Sequence, residues 1–156
     1  MTLVNMTAEE TLQQNTDHCR HIADQLTLMA AERLYECPYC GTTIDVEEID
    51  DLSVYDAVID GEEITCKCCE KSVELERVDV YKWLESALDI EYTVSSRFEY
   101  LGATVCVTLG GPSIYVDTRH RSVNLYWWAD RASWSLSGSA ADMLDEALAE
   151  YFEISR

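Results

Sequence analysis

Cys37-Pro38-Tyr39-Cys40-Gly41 and Cys66-Lys67-Cys68-Cys69-Glu70 are the stretches on which the reading of this chain turns. Each carries a C-x-x-C pair, which lets two thiolates converge on one cation, and the span between the pairs is short enough for the two turns to meet. Apolar and β-branched residues flank both: Leu34 and Tyr35, Thr42 to Ile44, Ile64 and Thr65, Val73 and Leu75. That is the pattern of two hairpins around a metal. It predicts a zinc ribbon over 35–78, with Cys37, Cys40, Cys66 and Cys69 as thiolate ligands of one structural Zn2+. Cys68 could replace Cys66 or Cys69 by a slip of one residue, although Cys66 and Cys69 repeat the two-residue gap of the first pair. A redox C-x-x-C would need one pair only, between a strand and a helix, and disulfides belong to oxidising compartments. Four thiolates close the coordination sphere, so such a metal holds the fold and does not activate water.

The spacing between the pairs exceeds that of the simplest ribbons, so residues 45–63 are expected to protrude as a loop. The segment is strongly acidic. Asp45, Glu47, Glu48, Asp50, Asp51, Asp56, Asp60, Glu62 and Glu63 occur in it without a Lys or Arg. The whole chain of 156 residues has 30 acidic and 11 basic side chains, a formal net charge of −19. A polyanion is repelled by phosphate backbones, so direct nucleic-acid binding is disfavoured. Two readings of the loop remain: a solvated, solubilising segment, or a mimic of phosphate charge that docks on a basic, nucleic-acid-binding protein. In the second, Glu47, Glu48, Asp50, Asp51, Asp56, Asp60, Glu62 and Glu63 are the partner-binding residues.

The fold class read from the rest is α+β, with an N-terminal helix, the zinc ribbon, and an antiparallel β-meander packed with one or two helices. Thr7-Ala8-Glu9-Glu10 opens a helix over 7–33 with a capping box, and Leu12, Cys19, Ile22, Leu26 and Met29 form its apolar stripe. Asp79 caps a short helix from Val80 to Leu88. From Tyr92 the period switches to two, with Gly110-Gly111-Pro112 and Thr118 to Arg121 as turns and strands at 113–117, 122–128 and 132–136. Ser139-Ala140-Ala141-Asp142 starts a last helix that should cover one face of the sheet. The units are therefore 1–34, the N-terminal helix; 35–78, the ribbon with its acidic loop; and 79–156, the α+β domain. Tyr115, Tyr126 and Trp128 alternate onto the other sheet face, where they are either a partner surface or covered by the first helix. Pairing of two copies through an exposed strand edge is a further option.

No apolar run approaches the roughly 18 residues of a membrane span, and residues 1–10 lack the basic and apolar regions of a secretory signal, which points to the cytoplasm. Catalytic patterns are missing too: there is no G-x-S-x-G elbow, no P-loop and no dinucleotide fingerprint, and the expectation is a protein without enzymatic activity.

The segment from Tyr100-Leu101-Gly102 through Gly110-Gly111-Pro112-Ser113-Ile114-Tyr115-Val116-Asp117-Thr118-Arg119 to Leu125-Tyr126-Trp127-Trp128 resembles a module of small acidic proteins from phages and integrative elements of gut and oral Firmicutes. Some proteins of that kind are anti-CRISPR inhibitors of type II nucleases, with zinc-containing examples among them. The resemblance covers about the last third of the chain. It implies a bacterial host cytoplasm and a stoichiometric inhibitor that binds a basic lobe of a type II CRISPR nuclease and blocks loading of target DNA. Such nucleases hold guide and target in strongly basic channels. An anti-restriction DNA mimic, a ligand of a host regulator and a transcription-associated zinc-ribbon adaptor are the alternatives.

Overall fold

Thr7 and Glu10 satisfy each other's backbone: the Glu10 amide donates to the Thr7 hydroxyl at 3.1 Å and the Thr7 amide to the Glu10 carboxylate at 3.0 Å. This box opens helix α1, Ala8–Ala30, in a computed structural model that describes residues 7–155. The helix stops three residues earlier than its pattern suggests, where Glu32 turns left-handed at φ 58°. Its buried face carries Cys19, Ala23, Leu26 and Met29, whereas Leu12 is exposed. The apolar stripe thus begins about two turns further into the helix than the periodicity implies.

The chain then enters the ribbon. Strands β1 (Leu34–Glu36) and β2 (Thr43–Asp45) form the first hairpin, and β3 (Glu63–Thr65) and β4 (Ser72–Glu74) form the second. A two-residue strand β5, Glu76–Arg77, returns antiparallel to β1 and completes a small sheet in the order β2-β1-β5. Directly beyond it, the Val78 amide donates to the Leu34 carbonyl at 2.9 Å.

The 45–63 segment does not protrude as an irregular loop. A 3-10 turn at Val46–Glu48 leads into helix α2, Leu52–Ile59, whose first amides are capped by Asp51. The reason lies in apolar residues interleaved with the acids. Val46 and Val58 are buried in the ribbon's own core with Val73 and Leu75, and Ile49, Val54 and Tyr55 pack against them.

Asp79 caps helix α3, Val80–Glu85, by accepting from the Lys82 amide at 2.8 Å. The helix ends before Leu88, whose amide pairs with the Cys106 carbonyl at the start of a new strand and whose side chain is exposed. From there five strands run antiparallel: β6 (Asp89–Val94), β7 (Tyr100–Thr108), β8 (Ser113–Asp117), β9 (Ser122–Trp127) and β10 (Asp130–Ser135). Their spatial order is the sequence order, a simple meander. Helix α4, Gly138–Ser155, follows. Ser137, not Ser139, satisfies its first turn, with Oγ accepting from the Ala140 amide at 3.2 Å.

Both long helices lie on the same face of this sheet. Val105, Val116, Val123 and Leu125 of the strands are fully buried with Leu26 of α1 and with Leu144 and Leu148 of α4. The 1–34 segment, a unit of its own in the sequence, therefore contributes its helix to the core of 79–156; residues 1–6 of it fall outside the described residues. Leu34 and Val78 belong to that core as well, while the ribbon keeps a second, smaller one. No helix covers the opposite sheet face among the described residues. Tyr115 and Tyr126 share it, with ring centroids 6.0 Å apart. Trp128 does not join them. It occupies the tip of the β9–β10 hairpin in the left-handed region, φ 55°, is 91% exposed, and touches only Trp127 edge-on among the aromatic rings.

Candidate metal centre

The two knuckles are built alike. In the first, the Cys37 amide donates to the Thr42 carbonyl and the Gly41 amide to the Cys37 carbonyl; in the second, Cys66 pairs in the same way with Lys71, and Glu70 with Cys66. Each turn therefore points its two cysteines to one side, at the end of its own hairpin. The hairpins face each other across their knuckles. Lys71 of the second lays its ammonium 4.9 Å from the Tyr39 ring of the first.

The sulfurs meet crosswise, Cys37 Sγ 3.8 Å from Cys69 Sγ and Cys40 Sγ 3.7 Å from Cys66 Sγ. All four lie within 4.8 Å of one another. A tetrahedron with metal–sulfur bonds of 2.3 Å has edges of about 3.8 Å, so the observed spacing suits a single ion at the centre. Cys68 has no part in the cluster; it is exposed beside the second knuckle, and the alternative of a slipped ligand is not realised. Cys37 and Cys66 are buried, Cys69 is half-buried, and Cys40 stands at the surface.

The acidities of the thiols explain what a cation would do here. The Thr42 hydroxyl and amide hold the Cys40 thiol down to about 6, which favours its thiolate. Amides of Cys69 and Cys68 lower Cys66 as well. The Lys71 amide draws Cys69 down too, but burial and the crowding of the sulfurs of Cys66, Cys37 and Cys40 outweigh it and push its thiol up to about 11. Without a positive charge, burial and crowding favour the protonated form of the last sulfur. A divalent ion removes that obstacle, and the four residues could hold one; the closed, four-sulfur donor set is that of a structural site, with no place left for water or substrate.

Around the centre the acidic residues divide by role. Arg33 holds Asp45 in a bidentate pair, with Nη2 to Oδ2 at 2.6 Å and Nε to Oδ1 at 3.0 Å. Asp51 accepts from the amides of Ser53 and Val54, and the Ser53 hydroxyl, with these amides, keeps its carboxyl below the ordinary range. Glu63 accepts from the Ser72 hydroxyl at 3.1 Å. Glu47, Glu48, Asp50, Asp56, Asp60 and Glu62 are exposed. The structure thus keeps all eight sequence-selected carboxylates at the surface of one module, but gives Asp51 a structural duty besides. Tyr115 and Tyr126 belong to the five-stranded sheet and Trp128 to its β9–β10 turn, all outside the ribbon.

Neither a family model, nor a curated protein, nor a solved structure matches this chain. The resemblance of residues 100–128 therefore rests on its motif alone. No described helix is long and apolar enough to cross a membrane.

What the sequence did not disclose is the cleft beside the centre. It measures about 1030 Å³ and runs between β2, α2 and β3, with Cys37 and Cys66 among its lining residues. The only signal for it was the set of isoleucines and valines within an otherwise anionic segment, which suits a folded wall better than a free loop.

Proposed function

We propose that this chain is a non-catalytic, zinc-stabilised binding protein whose acidic ribbon docks on a basic, nucleic-acid-binding surface of another protein and competes there with nucleic acid. The observation that carries this reading is the placement of charge. The carboxylates of 46–63 sit on a folded scaffold, a 3-10 turn and a capped helix packed on the metal-held hairpins, not on a loose loop. Fixed charges lose less entropy on docking than those of a disordered tail. Five of the eleven basic side chains, Arg20, Arg33, Arg77, Lys82 and Arg121, pair with acids of the same chain. With 30 acidic against 11 basic side chains the net charge is −19, and it steers association with a basic partner.

Zinc is the ion of choice for four thiolates in closed tetrahedral geometry, with iron the chemical competitor. Metal analysis and an absorption spectrum of the purified protein distinguish them, since zinc–thiolate centres are colourless.

Following the resemblance of residues 100–128, the first partner to test is a type II RNA-guided nuclease, with and without guide RNA. Binding that falls steeply with salt, together with lost DNA loading, is the expected result. Replacing Glu47, Glu48 and Asp50 by Lys should slow association and flatten the salt dependence. If that triple variant inhibits as well as the native chain, the acidic ribbon is not the docking element. Protection of DNA from a restriction enzyme, with no guide RNA present, would shift the target to that class.

A further inference from the structure

The cleft beside the metal centre has an apolar floor. Ile44 from β2, Ile49, Val54 and Ala57 from the 46–63 segment, and Ile64 from β3 are only partly buried and face it. Above them the rim is anionic, with Glu48, Asp50 and Asp51 on one side and Glu63 on the other. Lys67 is the one basic side chain of the lining. A volume of about 1030 Å³ lies at the upper end of the roughly 300–1,000 Å³ typical of ligand pockets, which is room for a short run of side chains and too much for an ion.

We infer that this cleft binds a short cationic segment of a partner protein in which lysine or arginine alternates with apolar side chains. Alternation puts the apolar residues of an extended peptide on one side and its cations on the other. The apolar side then meets the isoleucines and valines, and the cations meet the rim. Apolar contact adds residence to what charge alone provides, since exposed carboxylates attract any polycation while an apolar floor selects among them. The walls come from both knuckle hairpins, and Cys37 and Cys66 are among the lining residues, so the metal that joins the hairpins also sets the width of the cleft. Binding and metal occupancy are therefore coupled, and the peptide site exists only in the metal-loaded protein.

The inference rests on the reading of the chain as a partner-binding protein and narrows it to one site and one ligand chemistry. Its test uses the metal-loaded full chain and two fluorescein-labelled octapeptides, one alternating lysine with leucine and one alternating lysine with serine. Burial of even one leucine is worth about a tenfold gain in affinity or more, so the leucine peptide should bind at least about tenfold more tightly. That preference should vanish in Ala57→Trp, which fills the floor, and after removal of the metal by a chelator. Thr65→Trp, an exposed position on the same wall, serves as a second plug in case the first disturbs α2, and zinc content verifies that each variant is folded. Equal affinity for the two peptides, or a leucine preference that persists in both zinc-loaded plugged variants, overturns the inference. If the plugged variants still dock on a basic nucleic-acid-binding protein as the native chain does, the cleft is overturned as the docking site while the broader reading stands. If the native chain selects the leucine peptide but docks on no such protein, the cleft stands and the broader reading falls.

Discussion

Gly41 and Glu70 hold the same place in the two knuckles, one residue past the second cysteine, and both lie in the left-handed region, at φ 73° and φ 61°. Glycine takes that conformation freely, whereas a residue with a Cβ is destabilised by roughly 1–2 kcal/mol. The second knuckle is thus the strained half of the centre. Glu70→Gly should stabilise the ribbon by about 1 kcal/mol, measured as slower release of metal to a chelator. Faster release in that variant would mean that the Glu70 side chain contributes more than its backbone strain takes away.

Removal of a ligand should separate the two halves of the molecule. Cys37→Ser is expected to abolish stoichiometric metal binding and unfold 35–77, because zinc contributes roughly 10–16 kcal/mol to folding of small zinc domains. The five-stranded body has its own core and should keep its cooperative transition. Cys68→Ser should retain one metal per chain. Metal analysis together with amide exchange across both regions checks all three statements.

Asp51 combines a cap with a charge, and two substitutions pull these apart. Asp51→Asn keeps a competent cap and removes the charge; Asp51→Ala removes both, at a cost of about 1 kcal/mol to the local helix. Amide exchange over Leu52–Ile59 should therefore quicken in the alanine variant only, while partner association should slow in both.

How much of this was open to inspection in the sequence depends on where each signal resides. The cysteine tetrad and the capping box of Thr7 and Glu10 are local patterns, and the structure contains both. So is the alternation of β7 to β9. The helix in 46–63 is masked in the sequence because eight acidic residues are interleaved with its eight apolar ones, and only burial of Val46 and Val58 shows that these define a face. Trp128 illustrates a different limit. Its alternation with Tyr126 is unbroken in sequence, but the hairpin turns one residue early and takes Trp128 off the strand. Which sheet face α1 covers is a tertiary choice that no local pattern encodes.

In the body, Tyr100 donates its hydroxyl to Asp145 at 2.8 Å, and burial with this bond pushes its phenol above the ordinary value. The folded state therefore retains a proton that the unfolded chain gives up near pH 10. Its contribution is complete below about pH 10 and declines as the pH rises further. The fall in denaturant midpoint between about pH 8 and pH 11 should be smaller in Tyr100→Phe than in the native chain; an identical fall would place the alkaline instability elsewhere.

Leu125 and Leu148 are fully buried where β9 and α4 meet the core. Either one changed to Ala should cost the body roughly 2–5 kcal/mol, visible in its denaturant midpoint, with metal affinity unchanged because the ribbon's apolar contacts are its own.

The hydrogen bond from Val78 to Leu34 places the two ends of the ribbon side by side. Topologically the metal module is an insertion: a chain that passed straight from Leu34 to Val78 would trace the same helix, sheet and closing helix in the same order. The body can thus gain, lose or exchange its ribbon without any strand changing neighbours, as a socket accepts different plugs. A different module spliced in place of 35–77 would leave the sheet beneath it as it stands.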